Sequence, residues 1–328
     1  MAKAQPTEEG LKAILAIREA PEKYDLKRDL APFLHHKSNH VVAAAAATAE
    51  RLEAAALAQD LVDAFADLMQ NPSKRDPGCK ALLAIAKALA GMDQDAARVY
   101  FLGIRHVQME ASFGPPVDAA AELRGVCAQG LARMLHPDAV EECVTLLADR
   151  EPAARAGAVR AIADSGSREG VLLLRLKALT GDKSAEVTAE CFAGLLRLAP
   201  ASSVDFAAKF LHEGNDETAE AAAFALGESH LPAALAALRT AWEATANPDR
   251  KRTLLIAIAM LRLDEALEFL LARVNEDSER AAADALTALG MCARDETIRA
   301  RVEASVEQRH SAALRNAFLR EFRQNERV

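Results

Sequence analysis

Lys177, Lys209, Arg239 and Arg273 recur along the chain at intervals of 32, 30 and 34 residues, each late in a segment whose apolar spacing predicts a helix. Helix pairs repeated at such an interval would stack these four cations into a ladder, and Arg175 stands close enough to join it. A row of that kind, with rungs roughly 10 Å apart as packed helices are, could grip an acidic peptide or a phosphate backbone. Basic residues near helix C-termini also complement the helix dipole, by about 0.3–1 kcal/mol each, so the bland reading of the ladder is helix-end capping. A second candidate contact is the segment 107–117, VQMEASFGPPV, whose Gly114-Pro115-Pro116 run cannot be helix interior. It carries Met109 and Phe113, which either contact a partner or, for Phe113, fold back to seal the junction between two helical halves.

Other chemistry is scarce. His35, His36 and His40 cluster at a helix junction, but a metal needs more ligands than this stretch offers, so solvated histidines are expected. There is no phosphate-binding glycine loop, no dinucleotide fingerprint, no HExxH and no nucleophile elbow. No catalytic residue, metal site or cofactor is therefore expected. The five cysteines, at 79, 127, 143, 191 and 292, lack CxxC spacing and fall mostly inside expected helices, which predicts buried free thiols.

The elements that must position these residues come from a repeat. Residues 151–166, EPAARAGAVRAIADSG, read as a turn with Pro152 in the first helical turn, a small-residue helix, and a stop at Ser165-Gly166. Variants recur, and Leu131, Ile162, Leu195, Leu226, Ile258 and Leu289 mark equivalent positions spaced by 31, 33, 31, 32 and 31 residues. Such a period implies an all-α solenoid of antiparallel helix pairs, with those six side chains buried. Expected second helices cover 138–149, 169–180, 203–212, 232–245 and 265–275. Upstream, helices are expected over 7–18, 24–36, 39–56, 57–70, 80–90 and 94–106, with residues 1–6 frayed. An amphipathic helix around Leu314, Phe318 and Phe322 would cap the array. The organisation is thus 1–107 irregular pairs, 108–117 a loop insertion, 118–310 regular repeats, and 311–328 a capping helix and tail.

The apolar-Arg pairs Leu123-Arg124 and Ala154-Arg155, with the endings Ala225-Leu226-Gly227 and Ala288-Leu289-Gly290, resemble the first helix of a HEAT repeat. The likeness is to the short bacterial kind, also found in phycobilisome-lyase-type proteins. It covers residues 117–310 well and 24–107 loosely. Ala219 stands where the arginine would be, and the repeat around Leu195 lacks the glycine. The resemblance implies that second helices line a concave face, which would put the basic ladder on or beside it. HEAT-repeat deoxyhypusine hydroxylases hold two irons with several His-Glu pairs; this chain has only His212-Glu213, which argues against that activity. HEAT-like DNA alkylation glycosylases use aromatic and acidic residues in a basic cleft. Here Trp242 is the one tryptophan, with packing at a helix end expected and no aromatic cluster on one face. Lyase activity rests on the repeat type alone.

A net charge of −8 disfavours generic nucleic-acid coating. No apolar run is long enough to span a bilayer, and MAKAQPTEEG lacks a signal-peptide apolar region, so no membrane association and a cytoplasmic location are expected. The expected function is a non-enzymatic scaffold binding a protein or acidic peptide on its concave face. The alternatives are a nucleic-acid-binding or alkylation-repair-like solenoid and, further off, a cofactor-attaching lyase.

Overall fold

The computed structural model describes residues 5–213 and 215–323. Among them the chain is almost wholly helical, a repetitive stack of paired antiparallel helices with the architecture of an α-solenoid. It divides into two compact units, residues 1–173 and 174–328.

The first unit holds α1 (Gln5–Glu19), α2 (Leu26–Asp29), α3 (Ala31–Leu34), α4 (Asn39–Arg51), α5 (Ala58–Leu68), α6 (Pro72–Arg75), α7 (Lys80–Gly91) and α8 (Ala97–Ile104). A short hairpin, β1 (Met109–Glu110) and β2 (Val117–Asp118), leads to α9 (Ala121–Arg133), α10 (Ala139–Leu146) and α11 (Pro152–Asp164). First helices pack on first helices: α4 on α7, α7 on α9 and α9 on α11. The helix α12 (Arg168–Thr180) begins in this unit and ends in the second.

The second unit continues with α13 (Ala185–Leu198), α14 (Pro200–Glu213), α15 (Asp216–Glu228), α16 (Pro232–Ala244), α17 (Pro248–Met260) and α18 (Asp264–Glu276). It closes with α19 (Glu279–Leu289), α20 (Glu296–Gln308) and α21 (Ala312–Arg323). Odd-numbered helices from α13 to α21 stack in sequence, and α14 packs on α16 and α18 on α20. Leu314, Phe318 and Phe322 of α21 are buried, as their spacing implied.

All six repeat-marking residues, Leu131, Ile162, Leu195, Leu226, Ile258 and Leu289, are within 1% of complete burial. What lets their helices approach is the small residue between them. A Cβ on Gly157 would stand 2.2 Å from Gly125 Cα, so α9 and α11 meet backbone to backbone. In the second unit a Cβ on Gly227 would stand 2.5 Å from the Ala257 carbonyl oxygen. Gly227 is therefore needed for close approach inside α15 and does not end the helix. A true left-handed stop occurs at Gly166, with φ +67°. At the corresponding turns Glu53, Asp93, Leu135, His230 and Arg262 adopt positive φ without being glycine. At Leu135 the turn is closed by His136 N donating to Leu131 O at 3.0 Å, a bond that satisfies a helix-end carbonyl and holds the strained residue in place.

The N-terminal expectations need correction. The helix expected over 24–36 is broken. Asp25 accepts from Lys27 N and Arg28 N and caps α2, while Pro32, which has no N–H, sits in the first turn of α3. Residues 5–6, read as frayed, open α1, and residues 1–4 and 324–328 lie outside the described residues. The helix expected from 94 starts only at Ala97, after a non-helical Ala96 with φ −125° and ψ 40°.

All five cysteines are free, four buried and Cys292 half-buried. Burial pushes the Cys79, Cys143 and Cys191 thiols up to about 12.

Two substitutions test this packing. Leu226→Ala should lower unfolding free energy by about 2–5 kcal/mol, and a loss below about half a kcal/mol in urea melts would mean the residue is not core. Gly157→Ala should cost about 1–3 kcal/mol or more, because its neighbour is backbone and cannot rotate away.

Candidate binding surfaces

In the first unit the segment 107–117 is a hairpin rather than a featureless loop. Met109 pairs with Asp118 and Glu110 with Val117 in antiparallel register. Its tip is ordered by its own side chain: Gly114 N donates to Ser112 Oγ at 3.1 Å, and Ser112 Oγ donates to Pro115 O at 2.6 Å. Phe113 is fully exposed, and Val107, Met109 and Val117 are each more than half exposed. The alternative in which Phe113 folds back as a seal is overturned, since its ring touches no core.

What seals the junction is polar. Arg124, only 3% exposed, donates from Nη1 to Asp118 Oδ2 at 2.7 Å and to the His106 carbonyl at 2.9 Å. Its Nε and Nη2 form a fork on Asp149, at 2.9 and 3.0 Å. Bidentate pairing of this kind fixes orientation as well as charge. On the other side, Gln108 Nε2 donates to Asp76 O at 2.9 Å and to Glu110 Oε1 at 2.6 Å, and Gly78 N donates to the same Glu110 oxygen at 2.7 Å. Asp76 in turn accepts from Asn39 Nδ2, Ala81 N and Leu82 N. The hairpin is thus bolted to α4, α7 and α9 by buried hydrogen bonds. At its root lies a cleft of about 510 Å³ bordered by Val107, Arg105, Glu141 and Glu142, with Arg105 paired to Glu142.

Burial works against ionising Asp118, but bonds from Gln108 N, Ala120 N and Arg124 outweigh it and hold its carboxyl below the ordinary range. Burial likewise pulls Arg124 down, and the Asp149 and Asp118 contacts push it up by more.

In the second unit the four ladder residues do not share one angular position. Lys177 turns to Asp182, with Nζ to Oδ2 at 2.8 Å. Lys209 is exposed opposite the side of α14 that buries Ser203, Val204, Ala207 and Leu211, and has no ion-pair partner among the described residues. Arg239 lies over the Phe269 ring at 4.9 Å, again with no carboxylate partner among the described residues. Arg273 binds Glu276 at 3.1 Å and Asp277 at 3.2 Å while stacking on Trp242 and Phe269 at 5.3 and 5.1 Å. Arg175 donates to Ser202 O at 2.6 Å and covers Phe206 at 5.1 Å. Unequal intervals are the reason: Arg239 directly follows buried Leu238, whereas Arg273 directly precedes buried Val274.

The expectation of no aromatic cluster on one face is corrected: Phe206 and Phe210 share a face of α14 at 5.4 Å, and Phe192 packs on Phe210 at 4.9 Å. Trp242 and Phe269 pack edge to face at 5.5 Å, and Lys251 Nζ sits over the Trp242 ring at 4.4 Å. These rings come from successive second helices, α16 and α18, at a separation shorter than the repeat period, so counting repeats does not pair them. Among the described residues no group of three or more His, Cys, Asp or Glu side chains could hold a metal. His35 lies 3.5 Å from Asp67, and His36 Nδ1 accepts from Ser38 N. No helix among the described residues is long and apolar enough to cross a membrane.

No family model matches the chain, and no curated protein does. Among solved structures it is similar to human deoxyhypusine hydroxylase in complex with glycerol, at 18% identity and a TM-score of 0.34, over 83% of this chain and 99% of that one. It is similar to the complex of CpcE and CpcF of phycocyanin lyase from Nostoc sp. PCC7120, at 15% identity and a TM-score of 0.38, over 74% of this chain and 92% of that one. An engineered protein matches at 16% identity and a TM-score of 0.38, over 89% and 87%. At such identities and TM-scores the likeness carries neither an activity nor a partner to this chain.

The Asp118 anchor makes a pH prediction. A carboxyl with a depressed folded pKa contributes stability that is fully present above its unfolded value, about 4, and is lost as pH falls through the folded value. Asp118→Asn should lower stability by about 1–3 kcal/mol near neutral pH. That deficit should shrink in urea melts taken progressively below about pH 4; a deficit independent of pH would refute the assignment.

Proposed function

We propose that the chain is a non-enzymatic binding scaffold of HEAT-like repeats that docks a protein partner, with the hairpin between α8 and α9 as a contact. The observation that carries this reading is Phe113, a large apolar side chain fully exposed on a tip whose root is bolted down. Exposed aromatics on a rigid support match the aromatic anchors that dominate protein interfaces, because little ordering entropy remains to be lost on binding. Val107, Met109 and Val117 extend the apolar area beside it.

A protein partner is favoured over nucleic acid by charge. The chain carries −8 overall, and Lys177 and Arg273 are already matched to carboxylates. Phe113→Ser is the test. Proteins crosslinked to the wild-type chain in native lysate should be lost from the variant while its melting temperature stays unchanged, since Phe113 buries nothing within the chain. An unchanged set of crosslinked proteins would remove the hairpin from the interface.

A further inference from the structure

The second unit contains a cleft of about 390 Å³ where the end of α16 meets the starts of α17 and α19. Trp242, Pro248, Leu255 and Ala281 supply apolar wall, and Lys251, Arg280, Asp277 and Asp284 supply its charges. Two cations and two carboxylates look neutral until their partners are followed. Asp277 is taken by Arg273 at 3.2 Å, and Asp284 by Arg252 Nε at 2.9 Å. Neither Lys251 nor Arg280 has a carboxylate partner among the described residues. Lys251 rests on the Trp242 ring, which occupies one side of its ammonium and leaves other donors directed elsewhere.

We propose that this cleft receives a carboxylate side chain, with an adjoining apolar side chain, from an acidic peptide segment of a partner protein. The carboxylate would lie between Lys251 and Arg280, and the apolar group would lie against Pro248 and Ala281 beside the Trp242 edge. The arrangement favours peptide over nucleic acid for two reasons. Its unmatched cations are two, set in a pocket rather than along a track, whereas a phosphate backbone is held by a succession of them. The apolar wall of Pro248 and Ala281 also suits an apolar side chain and not a charged phosphate backbone.

This inference rests on the reading of the chain as a binding scaffold, though not on the hairpin. Trp242 is the only tryptophan in the chain, so its fluorescence reports the cleft directly. The probe is the hexapeptide acetyl-Gly-Glu-Leu-Glu-Leu-Gly-amide, with its Gln-for-Glu counterpart and an oligothymidylate as comparisons. The Glu peptide should change Trp242 emission saturably, with affinity falling as salt rises. Lys251→Gln and Arg280→Gln should each weaken it about tenfold, as loss of a charged hydrogen bond implies. Arg280 is exposed, so its variant retains the fold whatever Lys251→Gln does to the packing of Trp242. Phe113→Ser should leave peptide affinity unchanged. No saturable change, equal binding of the Gln peptide, undiminished binding by Arg280→Gln, or tighter binding of oligothymidylate would each overturn the assignment. Loss of crosslinked partners in Phe113→Ser without any peptide signal would leave the scaffold reading standing and remove the cleft alone.

Discussion

Contact between helix backbones governs this chain. A solenoid pair can repeat every thirty-odd residues only if successive first helices lie close, and closeness requires that no side chain stand between them. Gly125 and Gly157 meet that condition in the first unit, and Gly227 against Ala257 in the second. The abundance of alanine and the scarcity of aromatics follow from the same requirement. Bulky residues are displaced to the next layer, where Leu131, Ile162, Leu226 and Ile258 are fully buried. Trp242 and Phe269, on second helices of the second unit, carry cations over their rings, whereas Phe192 on α13 and Phe318 and Phe322 on α21 are buried in the core.

The sequence made the repeat legible because burial imposes a period on it, and a period survives substitution at any one position. It made the ladder only half legible. Recurrence located Lys177, Lys209, Arg239 and Arg273 on second helices, but a difference of two residues in spacing turns a side chain by about 200°, to the opposite side of a helix. Asp182 then captured one head group and Phe269 another. The left-handed turns were readable where glycine ends a helix, at Gly166 and Gly181. Leu135 and His230 adopt the same conformation without glycine, Leu135 beside the local bond from His136 N to Leu131 O and His230 with its ring nitrogen 3.1 Å from the distant Leu261 O.

Arg124 shows the opposite case. Its place in the apolar-Arg pair marked it as part of the repeat, yet nothing local announced that Asp118 and Asp149 would close on it from opposite sides. A buried ion pair of this kind is weak evidence for net stability, because desolvation offsets much of the attraction. Its effect is directional. It sets where the hairpin leaves the helical stack and therefore where the exposed ring of Phe113 is presented.

The same bonds alter how the first unit should come apart. In a stack held only by neighbour contacts, each pair opens almost independently and unfolding moves inward from the ends, one pair at a time. Here a connected run of side-chain hydrogen bonds reaches from Asn39 through Asp76, Gln108 and Asp118 to Arg124 and Asp149. Opening any pair along that run strands buried donors and acceptors in the next. The stretch from α4 to α10 should therefore open as one cooperative block, with amide protection set by the whole block rather than by distance from the chain end.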